Sequence, residues 1–260
     1  LTVVDVLDGG IMIIKSAPRT VFVIAATFVI PIELISAWVN RDSLADRGIG
    51  GLVSNVTSTD SSGSGITGAT ILTLVLSGLA LALVTGAIAR LVTSWYADDP
   101  ASTRDALVAS LRRAPALIVA WFFVHVVELV SAFPTLLPAL FLMPFFVVAS
   151  PAIVVEHLGP WGGVKRSWRL ARSRYGVVLG TAILIAIVDV LLTFALGGLG
   201  FVFDLLPFGW IGDVAIQAAT SLVTVPFVAS AATLMYLDLR IRSEGLDLEL
   251  DIAEHFARVE

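Results

Sequence analysis

The chain predicts an all-α polytopic membrane bundle: six transmembrane helices in three hairpins, with short interfacial amphipathic helices on one face. Three observations carry that prediction. Over 260 residues, 57% are hydrophobic and 14% charged, and the mean hydropathy is +0.95; a soluble domain carries about 25% charged residues. The apolar residues fall in runs of about 20 without the period-2 alternation of a barrel strand, so helices are the means of satisfying every backbone N–H and C=O in lipid. The cations are also segregated: of the 16 Lys and Arg residues, all but Arg41 and Arg47 fall in segments on one side of six apolar runs.

The elements follow in order. An amphipathic stretch, 1–19, ends in Lys15, Pro18 and Arg19 and leads into a first span, 20–39. Residues 40–65 close on a Ser/Thr/Gly-rich tract, Ser54 to Gly65, which reads as a solvated loop. The second span, 66–93, carries Gly78, Ala82 and Gly86 at four-residue spacing, a pattern for close helix packing or homo-oligomerisation. A second interfacial segment, 98–115, precedes the third span, 116–133. Ser131, Pro134, Pro138 and Pro144 interrupt the apolar stretch beyond it, and a tight Phe133–Pro134 turn separates a fourth span, 135–155. A third interfacial segment, 160–175, precedes the fifth span, 177–199. The loop 198–211, with Phe201, Phe203, Phe208 and Trp210, caps the bundle or lies on the outer leaflet. A sixth span, 211–237, ends in a tail, 238–260, that alternates charged and apolar residues; the whole of 1–260 is one integral membrane domain.

The positive-inside rule makes the cation-rich side cytoplasmic, which places both termini in the cytoplasm of a cell-membrane protein. Trp38 and Trp210 suit the outer interface; Trp95, Tyr96, Trp168, Tyr175 and Tyr236 suit the inner one. Asp5, Asp8 and Pro18 break the pattern of a cleavable signal peptide in the first twenty residues. The absence of Cys excludes disulfides, thiol chemistry and iron–sulfur ligation, and the net charge of −5 conceals the segregation by side.

Three segments share one plan of amphipathic stretch, basic knot and hairpin. Asp8, Lys15, Ala17 and Pro18 align with Asp105, Arg112, Ala114 and Pro115 at a spacing of 97, and Ser110, Arg112 and Ala114 align with Ser167, Arg169 and Ala171 at 57. Duplication accounts for this, and so does convergence, because any interfacial helix ahead of a span is basic and amphipathic. The units run parallel, unlike the inverted repeats of many transporters.

The stretch from Ser150-Pro151-Ala152 through Glu156-His157-Leu158-Gly159-Pro160 to Ser167-Trp168-Arg169-Leu170, and the tail from Tyr236 to Asp247, carry a resemblance. They resemble a bacterial membrane domain found N-terminal to some glycerophosphoryl diester phosphodiesterases and as a stand-alone protein in actinobacteria. The resemblance implies a six-span membrane domain of unsettled function. It does not imply phosphodiesterase activity, which belongs to a separate soluble barrel with its own His and Glu ligands.

Ionisable residues inside a span cost roughly 2.5–3.5 kcal/mol each on insertion scales and need a reason. They are Glu33, His125, Glu128, Asp189 and Asp213, with the amide Gln217. Glu33, Glu128 and Asp189 occupy similar heights on the first helix of their hairpins, so three acids could meet around an outer-facing cavity. His125 and Glu128, three apart, share one helical face. Groups at a wet vestibule or paired with Ser, Thr and backbone carbonyls to hold helices together, a proton or cation path, and a metal hydrolase are the open readings; the last lacks any HExxH-like element. The second constellation is Lys165, Arg166, Arg169, Arg172 and Arg174, where Lys165, Arg169 and Arg172 share a face with Trp168 and Leu170 beside them. It reads either as a phosphate-headgroup site or as a topology determinant, and Glu156 is a partner for Arg166 or Arg169.

No Walker loop, dinucleotide fingerprint or nucleophile elbow is present, and no catalytic residue, metal or cofactor is expected. The leading expectation is a non-enzymatic component that handles lipids or envelope precursors, or scaffolds a partner enzyme, at the inner membrane. Its partners would be anionic lipid headgroups, a protein or a second copy, and not nucleic acid. The alternative is a small proton- or cation-coupled transporter or channel using the intramembrane acids.

Overall fold

Helices alone satisfy the backbone in the computed structural model, which describes residues 3–39, 68–97, 101–132, 138, 141–197 and 209–244. The Phe133–Pro134 turn, the outer loops and the tail beyond Glu244 lie outside the described residues. In order the helices are α1 (Val3–Ser16), α2 (Pro18–Val39), α3 (Gly68–Tyr96), α4 (Thr103–Ala132), a 3-10 turn (Met143–Phe145), α5 (Ala149–Val155), α6 (Pro160–Ser173), α7 (Tyr175–Gly197) and α8 (Gly209–Glu244). Five of them, α2, α3, α4, α7 and α8, are long and apolar enough to cross a membrane.

α8 is the axis. Its apolar stretch is 78% buried, against 22% for those of α4 and α7, and it packs against α1, α2, α3 and α7. The outer helices turn large apolar side chains away from the protein, among them Phe122, Val130, Leu191 and Phe194. Such a surface suits acyl chains as solvent. Where lipid is the solvent, burying a Leu gains little and close approach of backbones gains more, so small residues mark the interfaces. Gly78 receives the Trp121 indole of α4, and Gly86 sits against Val154 of α5 and Ser110 of α4. The small-residue pattern on α3 therefore serves packing within the chain.

The fourth apolar run is not one regular helix. After two helical residues it tightens into the 3-10 turn at Met143–Phe145 and restarts as α5. Pro144 stands at the start of that turn, lacking the N–H a continuous helix needs. Carbonyls freed by the break find donors nearby: Ser167 Oγ donates to Phe145 O at 2.6 Å and Tyr175 OH to Phe141 O at 2.9 Å.

The second interfacial segment also differs from expectation. Residues 103–132 form a single helix that runs through Pro115. A capping box starts it: Asp105 N–H donates to Ser102 Oγ and Ser102 N–H to Asp105 Oδ2, each at 3.2 Å. In the other two units the chain bends between the amphipathic helix and the next, at Ala17 and at Arg174. α1 packs on α8 and α7 whereas α2 packs on α3 and α8, so the two need different directions; α4 lies along α3.

The aligned positions of the three units do equivalent packing. A Cβ on Gly9 would come within 2.7 Å of Leu234 Cδ1 on α8, Ala106 is fully buried, and Gly163 packs against Ile153 of α5. Ser110 and Ser167 are both fully buried. Ser110 Oγ donates to Leu83 O of α3 at 2.7 Å, the counterpart of the Ser167–Phe145 bond. Each amphipathic stretch thus rests on the helix before it in the chain, and α1 rests on the last helix, α8.

Candidate functional site

The five basic residues expected to act together divide into two groups. Arg166 faces inward. Its Nε donates to both Glu156 oxygens, at 2.9 and 2.8 Å, and its terminal nitrogens donate to Glu244. Tyr236 OH donates to Glu156 Oε1 at 2.8 Å, and Arg240 Nε lies 3.7 Å from Glu156 and 3.6 Å from Glu244. Two acids, two guanidiniums and a phenol thereby join α5, α6 and α8. Hydrogen bonding to Glu244 holds the Arg166 pKa above its ordinary value; burial pulls it back and Glu156 adds to the rise. Arg174 is also engaged, its Nη1 3.5 Å from Asp238 Oδ2, while Arg242 Nε donates to Asp238 Oδ1 at 2.8 Å.

The bend ahead of this cluster has a local cause. α5 ends at Glu156, and His157 adopts φ 56°, which lets Leu158 N–H donate back to Ile153 O at 3.1 Å. Gly159 is extended and Pro160 opens α6, where its missing N–H is not needed. α6 leaves in a direction that buries Gly163, Ser167 and Leu170. Leu170, expected beside the basic face, is 2% exposed and belongs to the core, and Tyr236, expected in the inner aromatic belt, is fully buried.

The opposite face of α6 carries Lys165, Arg169 and Arg172. None has a carboxylate partner among the described residues. With Trp161, Trp168 and Ser173 they line an open groove of about 670 Å³. Its apolar wall comes from Phe123 and Val127 of α4, Phe146 after the 3-10 turn, and Val164. Trp161 meets Phe123 edge-on at 4.9 Å, and Lys165 Nζ lies 5.3 Å from the Trp161 ring centroid. Trp168 stacks on Phe145 at 4.0 Å, and Phe145 stacks on Tyr175 at 5.1 Å. The broken fourth segment therefore braces the groove. Trp161, Phe123 and Phe146 escaped the sequence reading; the four-residue spacing of Trp161 and Lys165 was the available signal.

Among the described residues, the intramembrane acids have different partners. Ser221 Oγ of α8 donates to Glu33 Oε1 of α2 at 2.7 Å, and Asp189 of α7 hydrogen bonds with Thr224 of α8. Those hydroxyls are one turn apart, so α8 holds both acids. His125 Nδ1 donates to Trp121 O at 2.9 Å and the ring stacks on Trp121 at 4.0 Å, which leaves Nε2 3.9 Å from Glu128 Oε2. Among the described residues no three His, Asp or Glu side chains come together in a way that could hold a metal ion. Asp213 lies in the first turns of α8, and its side chain is outside the described set.

No curated protein and no solved structure matches the chain. Residues 130–239, which include α6 and most of α8, match the model of a domain of unknown function, DUF7847.

Proposed function

We propose that this chain is a non-enzymatic multi-pass membrane protein that binds anionic amphiphiles, lipids or envelope precursors, in the groove between α4 and α6. One observation carries the reading: an apolar and aromatic wall built partly from a membrane-length helix meets three cations that have no carboxylate partner among the described residues. Unpaired cations beside apolar surface favour a ligand with an anionic head and a hydrocarbon body. Arg166 and Arg174, engaged with acids, hold α6 in place and leave the headgroup to Lys165, Arg169 and Arg172.

The finer architecture belongs to the same proposal. Six membrane passages, the fourth interrupted at Pro144, would form three hairpin units around a pseudo-threefold axis, with the termini and α6 on the cytoplasmic side. The way each amphipathic stretch rests on the preceding helix supports that arrangement, and the segregated cations support the orientation. For the alternative, a proton or cation path, the partners of Glu33 and Asp189 weigh the other way: each carboxyl meets a neutral hydroxyl of α8, an arrangement suited to fastening helices.

The test is lipid analysis of the protein purified into nanodiscs, for the original chain and for Arg169→Ala/Arg172→Ala. Two cations near a membrane surface contribute about 2 kcal/mol, so anionic lipid affinity should fall roughly thirtyfold. Equal retention by both proteins overturns the proposal.

A further inference from the structure

We propose that the groove selects amphiphiles whose head is a terminal phosphate monoester, over diester, polyol or zwitterionic heads. The inference rests on the groove being an amphiphile site and goes on to name its headgroup class. It follows from the donors and acceptors on the lining. Lys165 supplies an ammonium, Arg169 and Arg172 supply two guanidiniums, and among the described residues no Asp, Glu, Asn or Gln lines the groove. Among the described lining residues Ser173 is the single side-chain acceptor, and its hydroxyl hydrogen is committed to Leu170 O at 2.7 Å.

A head that brings its own donors finds almost nothing to receive them. The hydroxyls of a glycerol or sugar head, or the ammonium of an ethanolamine or choline head, would give up water for a lining of donors, leaving polar groups unmatched. A phosphate monoester has the inverse inventory: three terminal oxygens, all acceptors once ionised, and close to two negative charges. Two guanidiniums can each take a pair of those oxygens, and an ammonium the remaining lone pairs. A phosphodiester offers two such oxygens and one charge, so it leaves two of the three positive charges unmatched where the ionised monoester leaves one. Trp161 and Trp168, both partly exposed, flank the cations as flat apolar surface for the first carbons of the chain.

The pH behaviour would come from the ligand. The ionisable side chains on the described lining are Lys165, Arg169 and Arg172; Phe123, Val127 and Phe146 on the facing elements carry no ionisable group. His125 and Glu128 of α4 are not among the lining residues. The second phosphate ionisation lies near pH 6, so preference for the monoester should appear as pH rises through that value.

The experiment uses the full chain in phosphatidylcholine nanodiscs, doped at equal fractions with phosphatidate or phosphatidylglycerol, with bound lipid read by native mass spectrometry. Phosphatidate should be held about fivefold more tightly at pH 7.5, the effect of one further charge, and near parity at pH 5. Arg169→Lys/Arg172→Lys keeps the charge but loses paired contacts, so it should keep anionic lipid and show a preference smaller than that of the original chain. Soluble glycerol 3-phosphate should fail to displace phosphatidate; displacement at matched concentration would show a free-phosphate site and overturn the amphiphile claim. Equal binding of both lipids, each lost in Arg169→Ala/Arg172→Ala, overturns the monoester inference and leaves the groove reading standing. Binding of neither lipid in a way that depends on these arginines overturns both.

Discussion

His157 is the non-glycine residue with positive φ among those described, and the turn between α5 and α6 depends on it. A left-handed conformation costs an L-residue roughly 1–2 kcal/mol, less for His than for a β-branched side chain. His157→Gly should therefore raise the thermal midpoint in a fixed detergent, by the equivalent of about 0.5–1 kcal/mol, and His157→Val should lower it. No gain with Gly would mean that the imidazole has a contact offsetting the strain. Glu156, one residue earlier, is a stronger test of packing. Its side chain is 18% exposed and that of Arg166 12%, so removing the acid leaves a largely buried guanidinium with Glu244 as its remaining carboxylate partner. Glu156→Ala should cost about 3 kcal/mol, and Tyr236→Phe, which removes one hydrogen bond to the same carboxylate, about 1. The presence of Glu156 beside several arginines was readable in the chain. Its choice of Arg166 over Arg169 was not, because the second acid, Glu244, lies 78 residues from Arg166.

At the scale of elements, α6 is held on both sides: ion pairs to α8 on one, close contact with α5 on the other. Gly163 is the contact point, packed against the Ile153 side chain. Gly163→Leu should push α6 off α5, lower the thermal midpoint by the equivalent of about 1–3 kcal/mol, and weaken anionic lipid binding with it. Gly176, with open space around the position of its Cβ, is the control: Gly176→Ala should leave both readouts unchanged. An effect at Gly176 as large as that at Gly163 would contradict the packing account. Helix existence was legible here from run length and composition. The break at Pro144 was foreshadowed by three prolines in one apolar run, but the continuity of α4 through Pro115 was not. The same Ala-Pro pair ends α1 at residues 17–18 and passes inside α4 at 114–115, and the neighbours of each segment make the difference.

For the whole molecule, orientation is the exposed prediction. The chain has no cysteine, so single introduced thiols report without background. In intact cells an impermeant maleimide should label Ser62→Cys and should reach Arg258→Cys only after the membrane is opened. The reverse pattern would invert the bundle and place the basic groove outside. Burial makes a further demand: α8, the most buried of the membrane-length helices, should be the last to open. Backbone amides of α8, mostly buried, should exchange more slowly than those of α7, which faces outward along much of its length.

Composition, run length and charge segregation are local or additive properties, and they determined an all-helical chain with membrane-length apolar helices, a basic face on α6 and acids within the spans. Tertiary structure decided how those groups are spent. Arg166 and Arg169 are three apart on one short helix, yet one is enclosed by Glu156 and Glu244 while the other lines the groove. Glu33 and Asp189, alike in sequence context, were brought to two hydroxyls one turn apart on α8. Ion pairing and hydrogen bonding fall off within a few ångströms, so partners far apart in the chain are known only once packing has brought their helices together.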